Sequence, residues 1–121
     1  MPGQLTPVVL LPRFTTLSGA DTFSTIGMDV TEYSSAFINL WRGPLNGTNS
    51  PTYAFLFEES SDGVNYTPCT ISPSETDPGA DDETQYEVTL KKRWLRLSIT
   101  LTGTNPSVTT WAVGFLEERL T

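Results

Sequence analysis

The sequence predicts an all-β protein, an antiparallel β-sandwich of the jelly-roll type. Apolar and polar residues alternate in several short runs, and clusters of Gly, Pro, Asn, Asp and Ser separate these runs. Alternation with period two marks strands that bury one face. No window of about 11 or more residues has the apolar spacing of a helix. The 121 residues fit a single domain.

Residues 1–20 are predicted to form an extended N-terminal arm, and residues 21–121 to form the sandwich domain. Prolines at positions 2, 7 and 12 bracket an apolar run in the arm. The run consists of Val8, Val9, Leu10 and Leu11. Proline cannot donate to a strand ladder, so this run is restricted to a short or edge strand. We expect it to contact a neighbouring subunit or the edge of its own domain.

The next two strands are predicted within residues 23–30, where a short strand ends near Gly27, and over residues 36–41. Residues 45–51 are rich in Asn, Gly, Thr and Ser and are predicted to form a loop. A hairpin follows over residues 53–70, because two β-rich runs flank a turn cluster containing Asp62 and Gly63. Glycine at position 63 permits the positive φ that such a turn requires.

Residues 71–84 contain almost no apolar side chains and are predicted to form a long exposed loop. Strand signals return over residues 86–90 and 95–101, where every second residue is apolar. Residues 102–106 are predicted to turn the chain. The last strand, residues 108–116, is predicted to place Trp111, Val113 and Phe115 on one side.

Residue types in the chain exclude most familiar catalytic plans, and we expect no enzyme and no cofactor. The sequence has no histidine and a single cysteine, Cys69, which excludes Ser-His-Asp and Cys-His catalysis and zinc sites built on histidine or clustered thiolates. Glu58 and Glu59 are adjacent, so in a strand they point to opposite faces and cannot act on one bond. Without an intrachain disulfide, a reducing compartment is the expected place of folding.

No metal is expected, although calcium remains an alternative. A flexible loop that carries several carboxylates has the oxygen ligands that calcium prefers. The candidate ligands are Asp77, Asp81, Asp82 and Glu83. Their spacing matches no calcium loop with a known pattern. The first residues also lack the pattern of a signal peptide, and no stretch approaches about 18 apolar residues, so we expect a soluble, unprocessed chain with no membrane partner.

Charge is distributed unevenly along the chain, whose formal net charge is −7. No Lys or Arg lies between Arg42 and Lys91, while acidic residues are frequent there; then Lys91, Lys92 and Arg93 follow in succession. The net charge opposes binding to phosphate backbones, so no nucleic-acid partner is expected. The basic block is either solvated surface or a head-to-tail contact with the acidic loop of another copy.

Trp41 and Arg42 form a further candidate site, at the end of a predicted strand and before a Gly-Pro pair. A tryptophan in this place is suited to stacking on a sugar or to anchoring a contact between subunits. Trp111 is expected to be buried, because aromatic side chains of a sandwich belong more often to its core.

Residues 58–67, which read Glu-Glu-Ser-Ser-Asp-Gly-Val-Asn-Tyr-Thr, resemble the Ser-x-Asp-Gly-x-x-(Trp/Tyr) hairpin of galactose-binding-like, discoidin-type β-sandwich domains. Residues 93–97 are similar to the arginine-bearing strand that follows in those domains. Together the resemblance covers about half of the chain and implies a β-sandwich. The flanking cysteine pair of extracellular discoidin domains is absent.

As a whole, this small, acidic, disulfide-free β chain resembles the capsid decoration or cement proteins of tailed bacteriophages. That resemblance implies a structural virion protein that binds the assembled shell and bridges neighbouring capsid subunits. The implied partners are the major capsid protein or another virion protein, together with further copies of the chain. Its location would be the virion, after synthesis in the host cytoplasm. The alternative function is a carbohydrate-binding β-sandwich module that uses Trp41 and Arg42.

Overall fold

The computed structural model describes residues 4–72 and 77–119, and these residues form an all-β, antiparallel fold. Its strands in chain order are β1 (Leu5–Ser18), β2 (Thr22–Ser24), β3 (Met28–Asp29), β4 (Tyr33–Arg42), β5 (Asn46–Ser60), β6 (Thr67–Pro68), β7 (Ile71–Ser72), β8 (Asp82–Thr89) and β9 (Trp94–Glu118). In the described part of the chain, no helix has the length and apolarity that a membrane crossing requires.

Strand β9 is the centre of the sheet and pairs with five other strands. Along one edge it pairs first with β5 and then with β4. Along the other edge it pairs with β3, β2 and β1 in turn. Strands β8 and β7 extend the sheet beyond β4, and β6 extends it beyond β5. The sheet is curled into a half-barrel, and neither a closed sandwich nor a jelly roll is established.

Strand β9 bends at residues 102–107 and continues beyond them without reversing its direction. The predicted turn at residues 102–106 is therefore wrong. Gly103 has a φ of 112° and Asn105 a φ of 49°, and the paired segment of β5 carries its own positive φ values at Gly47, Asn49 and Ser50. Irregularities on both strands let them bend together without losing their pairing. The predicted loop at residues 45–51 is thus the beginning of β5.

The core lies inside the curl. Tyr86, Val88 and Leu90 are buried, as their alternation predicts. The predicted core face of residues 95–101 is also confirmed by the burial of Leu95, Leu97, Ile99 and Leu101. The ring of Tyr86, on β8, lies 5.0 Å from that of Phe55 on β5. Aromatic contacts therefore join the two sides of the curled sheet across its interior.

Most of the predicted N-terminal arm, residues 1–20, forms strand β1, which is an edge strand of the same sheet. It pairs with β9 from Leu5 to Ser18, with irregularities after Val9 and Leu11. Val8, Leu10 and Leu17 are buried in the core. Residues 5–18 are therefore integrated with the sheet that strands β2 to β9 form. The short strand predicted within residues 23–30 is interrupted and forms both β2 and β3.

The predicted hairpin is confirmed by the antiparallel pairing of β5 with β6. Gly63 has a φ of 77°, and Asp62 Oδ1 accepts hydrogen bonds from the backbone N–H groups of Val64 (2.8 Å) and Asn65 (2.9 Å). The N–H groups of Asn65 and Val64 hold the pKa of the Asp62 carboxyl well below its usual range. The loop predicted at residues 71–84 is shorter, because β7 and β8 occupy its two ends; its residues 73–76 lie outside the described residues.

Candidate interface on the outer face of the sheet

The second part of β9 presents apolar side chains on both faces. Ala112 and Leu116 face the core, whereas Trp111, Val113 and Phe115 lie on the opposite face. The three residues share one side, as their spacing predicts, but it is the outer side of the sheet. The sequence does not show which side faces the core, because residues 108–116 are apolar at both odd and even positions.

Strands β1 and β4 add side chains to the same face, because directly paired residues project to the same side. Phe115 lies between Pro7 of β1 and Phe37 of β4, and Val113 lies between Val9 and Asn39. We call this surface the outer face. It consists of Leu5, Pro7, Val9, Phe37, Asn39, Trp41, Trp111, Val113 and Phe115.

Large apolar groups of the outer face are open to solvent. Leu5 is 55% exposed, Val9 53% and Phe115 42%. A single exposed apolar side chain is normal on a protein surface, but a contiguous group across three strands is the usual mark of an interaction site.

One end of the outer face is an aromatic cluster. The rings of Trp41 and Trp111 are stacked with their centroids 4.2 Å apart, and Phe14 meets Trp111 edge-on at 5.1 Å. Arg13 lies 4.9 Å above the Trp111 ring. These contacts bury Trp111, as predicted, although it lies outside the core. Aromatic and arginine side chains of this kind are the residues that most often dominate binding energy at interfaces.

Two observations mark this aromatic cluster as strained or incomplete. Phe14 has a φ of 61° and is 73% exposed, within the segment of β1 that bulges out between Leu11 and Thr15. The indole Nε1 of Trp111 is buried and has no hydrogen-bond partner among the described residues. A buried donor without an acceptor costs about 1–3 kcal/mol.

Carboxylates border the outer face on its β8 side. Glu83 pairs with Trp41 and Glu87 pairs with Phe37, so both side chains project to the outer side, and both are exposed. The face is thus mostly apolar over β1, β9 and β4, with Asn39 near its middle and Glu117 beside Leu5, and it is acidic along β8.

The apolar run of β1 does not form one contact surface. Val8 and Leu10 point into the core, and only Val9 belongs to the outer face. Leu11 is half-buried and, with Leu10 and the edge of Val9, lines an apolar groove between β1 and residues 24–28. The run is divided because strand residues alternate between faces and an irregularity follows Val9.

Trp41 and Arg42 lie on opposite faces of β4. Arg42 is mostly buried, and its Nε and Nη2 donate to the Asp77 carboxylate at 2.7 and 3.0 Å. The hydrogen bond to Asp77 raises the pKa of Arg42; burial opposes ionisation of Asp77, but Arg42 and the Gly79 N–H keep its pKa below the usual value. A sugar site built from Trp41 and Arg42 together is therefore not formed.

Lys91, Lys92 and Arg93 lie at the far end of β4 from Trp41, because the Leu90 N–H donates to the Ser34 carbonyl. They line a shallow surface pocket with Arg119, but Asp29 and Glu32 line the same pocket. Arg93 pairs with Asp29 at 3.1 Å. The three groups of predicted interface residues are therefore not brought together.

The residues that carry the discoidin resemblance make contacts within the chain. Arg96 pairs with Glu58 at 2.9 Å and lies 3.9 Å over the Tyr66 ring. Asp62 holds the hairpin turn. These contacts indicate a structural role for the motif. Among the described residues, no group of three or more His, Cys, Asp or Glu side chains is placed to hold a metal ion.

Comparison with protein-family models, with curated proteins and with solved structures finds no match to this chain. Among the described residues, the outer face with its exposed apolar and aromatic side chains is the feature that best indicates a function. Sequence reasoning missed Phe14, Phe37, Val113 and Phe115 as surface residues. The available signal was that both faces of residues 108–116 are apolar, which a sheet covered on one side does not need.

Proposed function

We propose that this chain is a structural virion protein of a tailed bacteriophage, of the capsid decoration or cement class. In this role it binds the assembled shell and bridges neighbouring capsid subunits. The observation that carries the proposal is the uncovered outer face, because an apolar sheet face with exposed aromatic side chains needs another protein layer. The resemblance of the whole chain to phage decoration proteins supports a phage capsid as the assembly that it binds.

A jelly-roll type β-sandwich is part of the same proposal. Its support is that the two parts of β9 have different neighbours, β5 along the first and β4 along the second. The core also lies between β5, which flanks the first part, and β8, which pairs with β4 beside the second part; the ring centroids of Phe57 and Tyr86 are 6.0 Å apart there. Two sheet layers that share one bent strand would account for both observations.

The first test is whether the chain occurs in the particle. Virions produced from the phage genome that encodes it are purified on a density gradient, and their proteins are quantified by mass spectrometry. We expect a copy number comparable to that of the capsid subunits. Absence of the chain from purified virions contradicts the proposed function.

The second test asks whether the outer face is needed. Phe115→Glu places a charge in the middle of the face and is expected to reduce incorporation into virions at least about tenfold, since burial of an unpaired charge is costly. Val64→Glu is the matched control, because Val64 is 78% exposed in the hairpin turn. Circular dichroism verifies that both variants are folded. Equal incorporation of the two variants argues against a role for the outer face.

A further inference from the structure

We propose that the outer face is covered by a second copy of this chain, in a two-fold pair whose strands are aligned. In this pair, Arg13 of each copy faces Glu83 of the other. This pairing rests on the proposed function, because it specifies which protein covers the same outer face.

Charge on the two sides of the outer face supports this choice of occupant. The β1 side carries Arg13, which is exposed above the Trp111 ring. The β8 side carries Glu83 and Glu87. Between them, the paired rows of β9 and β4 from Trp111 to Phe115 contain no charged side chain. Over these rows the surface is therefore an uncharged band with a cation on one side and carboxylates on the other; Glu117 lies beyond the band, beside Leu5.

In a two-fold pair, the same patch contributes from both copies. If the strands of the two copies stay aligned, the axis can run either across the strands or along them. A two-fold axis across the strands would lay β8 on β8, so that Glu83 and Glu87 would meet carboxylates of the partner. Like charges in contact disfavour that arrangement. An axis along the strands lays β8 on β1 and brings Glu83 to Arg13.

The aligned arrangement also matches the apolar groups. With the axis between β9 and β4, β9 of one copy lies over β4 of the other. Phe115 then meets Phe37, and Trp111 meets Trp41, in the same paired rows that the single chain shows. Stacked sheets pack with nearly aligned strands about 10 Å apart, so the arrangement is one that sheets adopt. A two-fold pair presents every remaining surface twice, as a bridge between shell subunits requires.

The mass of the purified chain in solution tests the inference, by sedimentation equilibrium over a range of concentrations. We expect a dimer that dissociates on dilution. Arg13→Glu and Glu83→Arg should each weaken the dimer by about tenfold or more, because each puts like charges in contact. The double variant Arg13→Glu with Glu83→Arg exchanges the charges and should recover most of the affinity. Val64→Glu again serves as the control.

A folded chain that stays monomeric at all concentrations overturns the inference, as does a dimer that neither single charge reversal weakens. A monomer that is still found in virions would assign the outer face to another virion protein, and the proposed function would remain. A chain that dimerises but is absent from virions would contradict the proposed function alone. The two measurements therefore separate the two proposals.

Discussion

The two faces of strand β9 have similar apolar residues but very different surroundings. On the inner face, Val108 is 2% exposed, Ala112 0% and Leu116 4%. On the outer face, Phe115 is 42% exposed, although it lies between Pro7 and Phe37. The described residues, 4–72 and 77–119, therefore supply a covering layer for one face only. Apolar side chains on the other face are the basis for the covering layer proposed above.

Two adjacent buried polar residues of β9, Thr110 and Trp111, show a similar difference. Thr110, on the inner face, is fully buried; its Oγ1 donates to the Trp41 carbonyl at 2.6 Å and lies 3.1 Å from the Tyr53 hydroxyl. Trp111, on the outer face, has a buried N–H without an acceptor. The inner polar group is fully hydrogen-bonded within the chain, while the outer one is not.

The largest expected effect comes from one substitution made on each face. Phe57→Ala should lower the free energy of unfolding by about 3–5 kcal/mol, because Phe57 is fully buried in the core. Phe115→Ala should lower it by less than about 1 kcal/mol in the dilute monomer, because Phe115 is already partly in water. Urea unfolding of both variants measures the difference. Similar losses for the two variants would show that the outer face is covered within the single chain.

A second pair of variants compares adjacent residues of β9. A Cβ atom at Gly114 would lie 1.9 Å from the Phe37 carbonyl oxygen, which is backbone of the neighbouring strand. We expect Gly114→Ala to destabilise the fold by about 3 kcal/mol, at the upper end of overpacking effects. Val113→Ala, on the outer face, should cost less than about 1 kcal/mol. Thermal melts measure the melting midpoints of both variants. An unchanged midpoint for Gly114→Ala would contradict the close approach of β4 and β9.

The smallest of the three effects is a dependence on alkaline pH. Burial raises the pKa of Tyr53 to about 12, although its hydrogen bond with Thr110 opposes this. In the unfolded chain tyrosine ionises near pH 10. The contribution of Tyr53 to the free energy of unfolding is therefore complete below about pH 10. It falls as pH rises, by about 2 kcal/mol at pH 12. Urea unfolding at several pH values should show this loss.

Tyr53→Phe is the control for the alkaline effect. Burial also raises the pKa of Tyr86, so this variant should keep a smaller loss of stability above pH 10. An equal loss in wild type and in Tyr53→Phe would mean that Tyr53 does not contribute.

Alternation in the sequence was enough to predict an antiparallel all-β fold. Residues 95–101 alternate strictly, and their apolar members are all in the core. The hairpin was equally predictable, since Gly63 and Asp62 determine it within a few residues. These features depend on local chemistry, which a sequence displays directly.

The shape of the sheet and the outer face were not predictable in the same way. The turn expected at residues 102–106 is a bend, because irregularities in β5 match those of β9 across a distance of about 50 residues in the chain. Trp41 and Trp111 are far apart in sequence and meet only through the pairing of β4 with β9. Which side of residues 108–116 faces the core depends on the same pairing.

Strand β9 also determines when this protein can fold. Strands β1 to β5 use it as their common partner, yet β9 comes after all of them in the described chain. Leu5 must wait for Glu117, more than 100 residues later, before it can pair. A ribosome that has made residues 1–93 therefore holds a chain whose central strand does not yet exist. We expect folding to be slow and concerted, and to begin only as β9 leaves the exit tunnel.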